Sequence, residues 1–185
     1  KDIHFTTELC FATNRTAVVR SVIKNVSGQP MHVSLEWDGG VFNKKSQLTA
    51  EGNSVSVLHF PDSTVTTTCF RTADKVRLVN TDSLHVCEKN DIVLPADAEY
   101  RSEYTQTLML RREDSAKELA AVRNIDIDKC FAENKVRWDN NIDKLLSRDS
   151  EYLSSNKYRK VIVKAMMTLN SNWRSAAGDI LHAGS

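Results

Sequence analysis

The residues with the most chemistry per unit length stand at the end of the chain, where Trp173, Arg174, Asp179 and His182 are interleaved with Gly178 and Gly184. An indole offers a flat apolar face on which the C–H side of a sugar ring can stack. A guanidinium supplies a fixed fork of donors for hydroxyls or for a carboxylate that needs orienting. Asp179 and His182 add hydrogen-bonding groups, and the two glycines permit tight backbone turns around them. This mixture resembles the wall of a polar binding site in a supporting role. The same residues also have a plain structural reading, in which Trp173 continues an apolar helical stripe and Arg174 neutralises the helix C-terminus.

Other candidates are weaker. Asp139 and Asp143 lie four apart, so they share one helix face, where they could hold a cation or act as an acid and base pair. An inverting glycosidase instead places its carboxyl groups about 6.5–9.5 Å apart on opposite walls of a cleft, so a solvent-facing pair is expected. Trp37 before Asp38-Gly39-Gly40 has the form of a stacking platform on a loop, but its alternation with Met31, Val33 and Leu35 assigns it to a core. His4, His32, His59 and His85 have no metal-site spacing, and Cys10, Cys69, Cys87 and Cys130 form no CxxC pair, so buried thiols and structural imidazoles are expected. No metal ligands are assigned. Two sequons, Asn14-Arg15-Thr16 and Asn25-Val26-Ser27, would suit a secreted chain.

The elements that must position these residues change character near residue 110. Before it, short alternating runs are closed by turn signals. Met31 to Trp37 reads as one strand, ended by a turn at Asp38-Gly39-Gly40, and Ala17 to Val26 reads as another, joined to it through Ser27-Gly28-Gln29-Pro30 as a hairpin. Leu48 and Val55 to Phe60 flank a hairpin signal at Glu51-Gly52-Asn53. Thr64 to Phe70, Lys75 to Val79, Leu84 to Cys87 and Tyr100 to Leu110 continue the pattern, which predicts an antiparallel sandwich.

Beyond Arg111 the period is helical. Ser115-Ala116-Lys117-Glu118 fits a capping box, and Asn124 to Asp128 a break with a second cap. Ile127, Phe131, Asn134, Trp138, Ile142 and Leu145 form one stripe. After a polar break at Ser147 to Ser150, with caps available at Ser154-Ser155-Asn156, a second stripe runs through Tyr158, Val161, Ile162, Ala165, Met166, Leu169 and Trp173. Lys157, Arg159, Lys160 and Lys164 fall on the opposite, solvated face.

Composition narrows the function classes. Hydrophobic residues at 41% and charged ones at 26% belong to a globular chain. A net charge of +1 gives no electrostatic reason for a nucleic-acid or anionic-membrane partner. No run approaches the eighteen or so apolar residues of a membrane span.

Asn172-Trp173-Arg174-Ser175, followed by Gly178, His182 and Gly184 and preceded by an amphipathic helix, resembles the start of the catalytic domain of glycoside hydrolase family 63, the processing α-glucosidase I-like enzymes and their bacterial relatives. The resemblance implies an α+β chain: an antiparallel β-sandwich over residues 1–110, linker helices over 111–150, and the first helices of an (α/α)6 barrel over 151–185. It further implies a parent enzyme that cleaves α-linked glucose from oligosaccharides with inversion. The catalytic carboxylates would lie beyond this chain, leaving it inactive alone and partnered by the remainder of the catalytic domain. Trp173, Arg174, Asp179 and His182 would then contact substrate. No cofactor is implied, although some relatives hold calcium, and a periplasmic or secretory location is expected. The alternative is a non-catalytic β-sandwich that binds carbohydrate or a partner and carries a helical appendage.

Overall fold

The computed structural model describes residues 2–41, 45–60, 63–72, 76–79, 83–110, 112–147 and 156–172. The chain divides into two units, residues 1–131 and 132–185. The fold class is α+β: antiparallel sheets, then helices.

In the first unit the strands are β1 (Ile3–Phe11), β2 (Thr16–Asn25), β3 (Met31–Gly40), β4 (Ser46–Glu51), β5 (Ser54–His59), β6 (Val65–Phe70), β7 (Val76–Val79), β8 (Leu84–Leu94) and β9 (Glu99–Met109). A six-stranded sheet has the order β1-β2-β9-β6-β5-β4, and a three-stranded sheet the order β3-β8-β7. Every pairing is antiparallel. The sheets pack through Leu48, Val55 and Phe70 of the larger and Val76 and Cys87 of the smaller. Phe70 is the hub, with Trp37 at 5.8 Å and Tyr104 at 5.7 Å between ring centroids. Trp37 is therefore a core residue. In β3 the apolar Met31, Val33, Leu35 and Trp37 face inward and His32, Ser34 and Glu36 are exposed, as the alternation requires.

Two turn assignments are corrected. Asp38, Gly39 and Gly40 do not turn the chain; they continue β3 opposite Val86, His85 and Leu84. Their glycines answer crowding, since a Cβ on Gly39 would stand 2.6 Å from the His85 ring, and one on Gly40 would stand 2.6 Å from the Ser83 carbonyl oxygen. Nor is Ser27-Gly28-Gln29-Pro30 a hairpin, because β2 pairs with β1 and β9 whereas β3 pairs with β8. The segment carries the chain from one sheet to the other, with Gly28 at φ 75°. Asn25, 0% exposed, anchors it. Its amide donates to the carbonyls of Gln29, Leu94 and Pro95, and its Oδ1 accepts from Ser27. That sequon is thus a structural joint closed to a glycan in the folded chain. Asn14 of the other is exposed. At Glu51-Gly52-Asn53 the expected hairpin joins β4 and β5, with Gly52 at φ 58°.

Among the described residues the helices are α1 (Arg112–Val122), α2 (Ile127–Leu146) and α3 (Asn156–Asn172). The break between the first two is where the sequence put it, and Asp126 caps α2 by accepting the Lys129 N–H at 3.0 Å. The capping box is not formed, since α1 begins before Ser115 and Glu118 turns toward the sheet. Ile127 and Cys130, with Phe131, pack against Cys10 and Val18 on the face of the larger sheet remote from the sandwich core. In the second unit Trp138, Ile162 and Met166 are half-buried, while Val161 and Leu169 remain 66% and 71% exposed.

Two measurements follow from the crowding around β8. Gly40→Ala must displace backbone at Ser83, and it is expected to lower unfolding free energy by about 1–3 kcal/mol in urea denaturation. His85 is held below its ordinary value of 6.5, chiefly because burial disfavours the imidazolium, with nearby Asp38 opposing. Its Nδ1 has no hydrogen-bond partner. The unfolded chain therefore takes up this proton at a higher pH than the folded one. Stability should be level well above 6.5 and fall as pH drops through that value, and His85→Leu should flatten that part of the profile.

Candidate functional site

The four residues singled out at the end of the chain, Trp173, Arg174, Asp179 and His182, lie outside the described residues. Asp139 is ion-paired with Lys135 on an exposed helix face, and Asp143 is exposed as well, so the pair is solvent-facing. The four histidines stand apart: His4 and His32 are exposed, His59 Nδ1 bonds Ser46 Oγ at 2.7 Å, and His85 is half-buried in the sandwich. Cys10 and Cys87 are buried thiols, whereas Cys69 and Cys130 are half-buried.

A cleft of the first unit opens on the helix-bearing face of the six-stranded sheet and holds about 870 Å³. Strand register builds its floor. Thr16 pairs with Thr107, Thr107 with Thr67, Thr67 with Ser56, and Ser56 with Thr49, so one row of hydroxyls crosses β2, β9, β6, β5 and β4, and its Thr67, Ser56 and Thr49 line the cleft. The next row within the cleft is Thr105, Cys69, Ser54 and Glu51. Successive strands lie about 4.8 Å apart, which spaces the hydroxyls along each row. Thr16 and Thr107 bond each other at 3.0 Å, and Ser56 and Thr67 at 2.8 Å. Leu119 and Val122 of α1 form an aliphatic wall, and the exposed Glu51 and Arg123 stand at the rim.

Three polar attachments hold α1 and the start of α2 against this face. Arg71 donates from Nη1 to the Ile125 carbonyl at 2.8 Å, and from Nη2 to those of Val122 at 2.8 Å and Arg123 at 3.2 Å. These are carbonyls at and just past the end of α1, which have no partner within the helix. Glu118 accepts from the hydroxyls of Thr13 at 2.5 Å and Thr16 at 2.7 Å, fixing the middle of α1 to the β1–β2 turn. Arg20 donates to Glu103 at 2.9 Å and to Asp128 at 2.6 Å, with its guanidinium 4.6 Å from the Phe131 ring centroid. Burial alone would lower the Arg20 pKa, but the bonds to Glu103 and Asp128 outweigh it and the net shift is upward. None of these attachments carried a local sequence signal. The hydroxyls read one strand at a time as ordinary solvent-facing positions.

No family model matches the chain, and no curated protein matches it by sequence. Solved structures do match. One from the human microbiome, provisionally named a kojibiose phosphorylase, aligns with a TM-score of 0.54 at 11% identity, over 78% of this chain and 22% of its own. A polysaccharide lyase aligns with a TM-score of 0.43 at 12% identity, over 64% of this chain and 22% of its own. The chain thus spans about a fifth of the length of these structures, and its fold is one that a carbohydrate-active enzyme contains.

Arg71→Met keeps the aliphatic stem and removes the fork. It should lower stability by about 1–3 kcal/mol with an unchanged denaturant slope, and Arg71→Lys should not restore it, because one ammonium cannot reach three diverging carbonyls.

Proposed function

We propose that this chain is the sandwich and leading helices of a carbohydrate-processing enzyme of the inverting α-glucosidase kind. The observation that carries the reading is the fold shared over 78% of the chain with a segment of an enzyme named for a sugar substrate. The terminal motif Asn172-Trp173-Arg174-Ser175 with Gly178, His182 and Gly184, resembling the start of a glycoside hydrolase barrel, points the same way. On this reading residues 1–110 are the sandwich, 111–150 the linker helices and 151–185 the first part of the barrel. Trp173, Arg174, Asp179 and His182 line the approach to the sugar. The acid that protonates the leaving oxygen and the base that activates water are supplied by the rest of the polypeptide, as is any calcium site. The substrate is an α-linked oligosaccharide, and the setting is periplasmic or secretory.

A second reading has its own observation, since the matched structure is named a phosphorylase. The two differ in the acceptor. Water releases free sugar, whereas inorganic phosphate yields a sugar phosphate. The test uses the intact polypeptide containing this chain, isolated from its source and supplied with α-linked gluco-oligosaccharides with and without phosphate, the product anomer being followed by NMR. Phosphate-independent release of β-glucose is expected, with none from the 185-residue chain alone. Turnover that requires phosphate would replace the hydrolase by a phosphorylase. Sugar binding without turnover in the intact polypeptide would leave a non-catalytic module.

A further inference from the structure

We propose that the cleft between α1 and the β4–β5–β6–β9 floor is a binding site for a neutral oligosaccharide, separate from the reaction centre. The inference deepens the carbohydrate reading above and rests on it for the choice of probe; the cleft's own chemistry selects the ligand class.

Four features converge. The first is the floor, where Thr105 of β9, 3% exposed, lines the cleft. Beside it, Ser54, Ser56 and Thr67 extend the hydroxyl floor on neighbouring strands. The second feature is charge. Arg71, the cation beneath the cleft, directs its fork at three carbonyls around the end of α1, leaving its strongest donors committed. Glu51 and Arg123 stand exposed at the rim with opposite signs. An anionic ligand would find no uncommitted cation on the floor.

The third feature is the wall. Leu119 and Val122 give the cleft an aliphatic side next to its hydroxyl floor, and a pyranose ring is built the same way, with hydroxyls around its edge and C–H bonds on its faces. The fourth is size. About 870 Å³ falls within the range of about 300–1,000 Å³ typical of small-molecule clefts, so a short oligosaccharide fits. With hydroxyls and no aromatic platform, the affinity should be modest, with a Kd on the order of 1 mM.

The test is a heteronuclear NMR titration of the 185-residue chain with maltotriose, and separately with inorganic phosphate. Saturable shifts confined to the amides of Thr49, Ser54, Ser56, Thr67 and Thr105 are expected with maltotriose, and none there with phosphate. Thr105→Val keeps the shape of the side chain and removes a hydroxyl from the cleft lining. It should weaken maltotriose binding about 3- to 10-fold while leaving thermal stability equal or higher, a combination that a purely structural threonine would not give. Ser54→Arg, at a half-buried floor position, should abolish the shifts by filling the cleft. An absence of cleft shifts at about 20 mM maltotriose, shifts centred elsewhere, phosphate binding in the cleft, or unchanged affinity in Thr105→Val would each overturn the assignment. Because no turnover is read, this result and the sugar-release assay can fail independently.

Discussion

Strand β9 is the member on which the fold depends, because it alone is paired on one side with β2 and on the other with β6. Without it the larger sheet separates into the β1–β2 pair and the β4–β5–β6 meander, each made from strands close in sequence. The contacts β9 makes are remote: Thr107 meets Thr16 across 91 residues and Glu103 meets Arg20 across 83. Closing such a loop costs entropy before any contact rewards it, so these are pairings expected late in folding. Once made, they fix both faces at once. Tyr104 is delivered to the sandwich core around Phe70, and Thr105 and Thr107 to the face that carries the helices.

That second face is held by a different kind of force. The apolar contact of Ile127, Cys130 and Phe131 with Cys10 and Val18 is small, and ionic and hydroxyl bonds from Arg20, Glu118 and Arg71 supplement it. Bonds of this type are directional, and a buried charge that loses its partner is costly, so they specify where α1 and the start of α2 sit more than they add to stability. The consequence reaches the cleft. Its wall is α1, and the position of α1 above the hydroxyl floor is set by Glu118 at its middle and Arg71 at its end.

The fold shared with an enzyme several times longer gives this arrangement a context. The reaction proposed for the whole polypeptide would draw its carboxylates from elsewhere in it. What residues 1–131 contribute themselves is a sandwich, with α1 and the start of α2 fastened to its larger sheet, and a hydroxyl-lined cleft between α1 and that sheet.

The sequence by itself determined the local elements and their faces. Alternation in Met31 to Trp37 identified the buried side of β3, Glu51-Gly52-Asn53 identified a hairpin, and the break before Asp128 separated two helices. Periodicity suffices for these because it records which side of a strand or helix avoids water. The terminal motif carried a chemical reading, and Trp173, Arg174, Asp179 and His182 lie outside the described residues. Partnership was decided only by the tertiary structure. Periodicity does not say which strand lies alongside, so Ser27 to Pro30 read as a hairpin when it crosses between sheets, and Asp38-Gly39-Gly40 read as a turn when its glycines make room for His85 and Ser83. The cleft is the extreme case. Thr49, Ser56 and Thr67, with Thr105 beside them, are unremarkable one at a time, and they become a site only when the register of four strands sets them side by side. That register follows from packing between residues far apart in the chain, which no local pattern encodes.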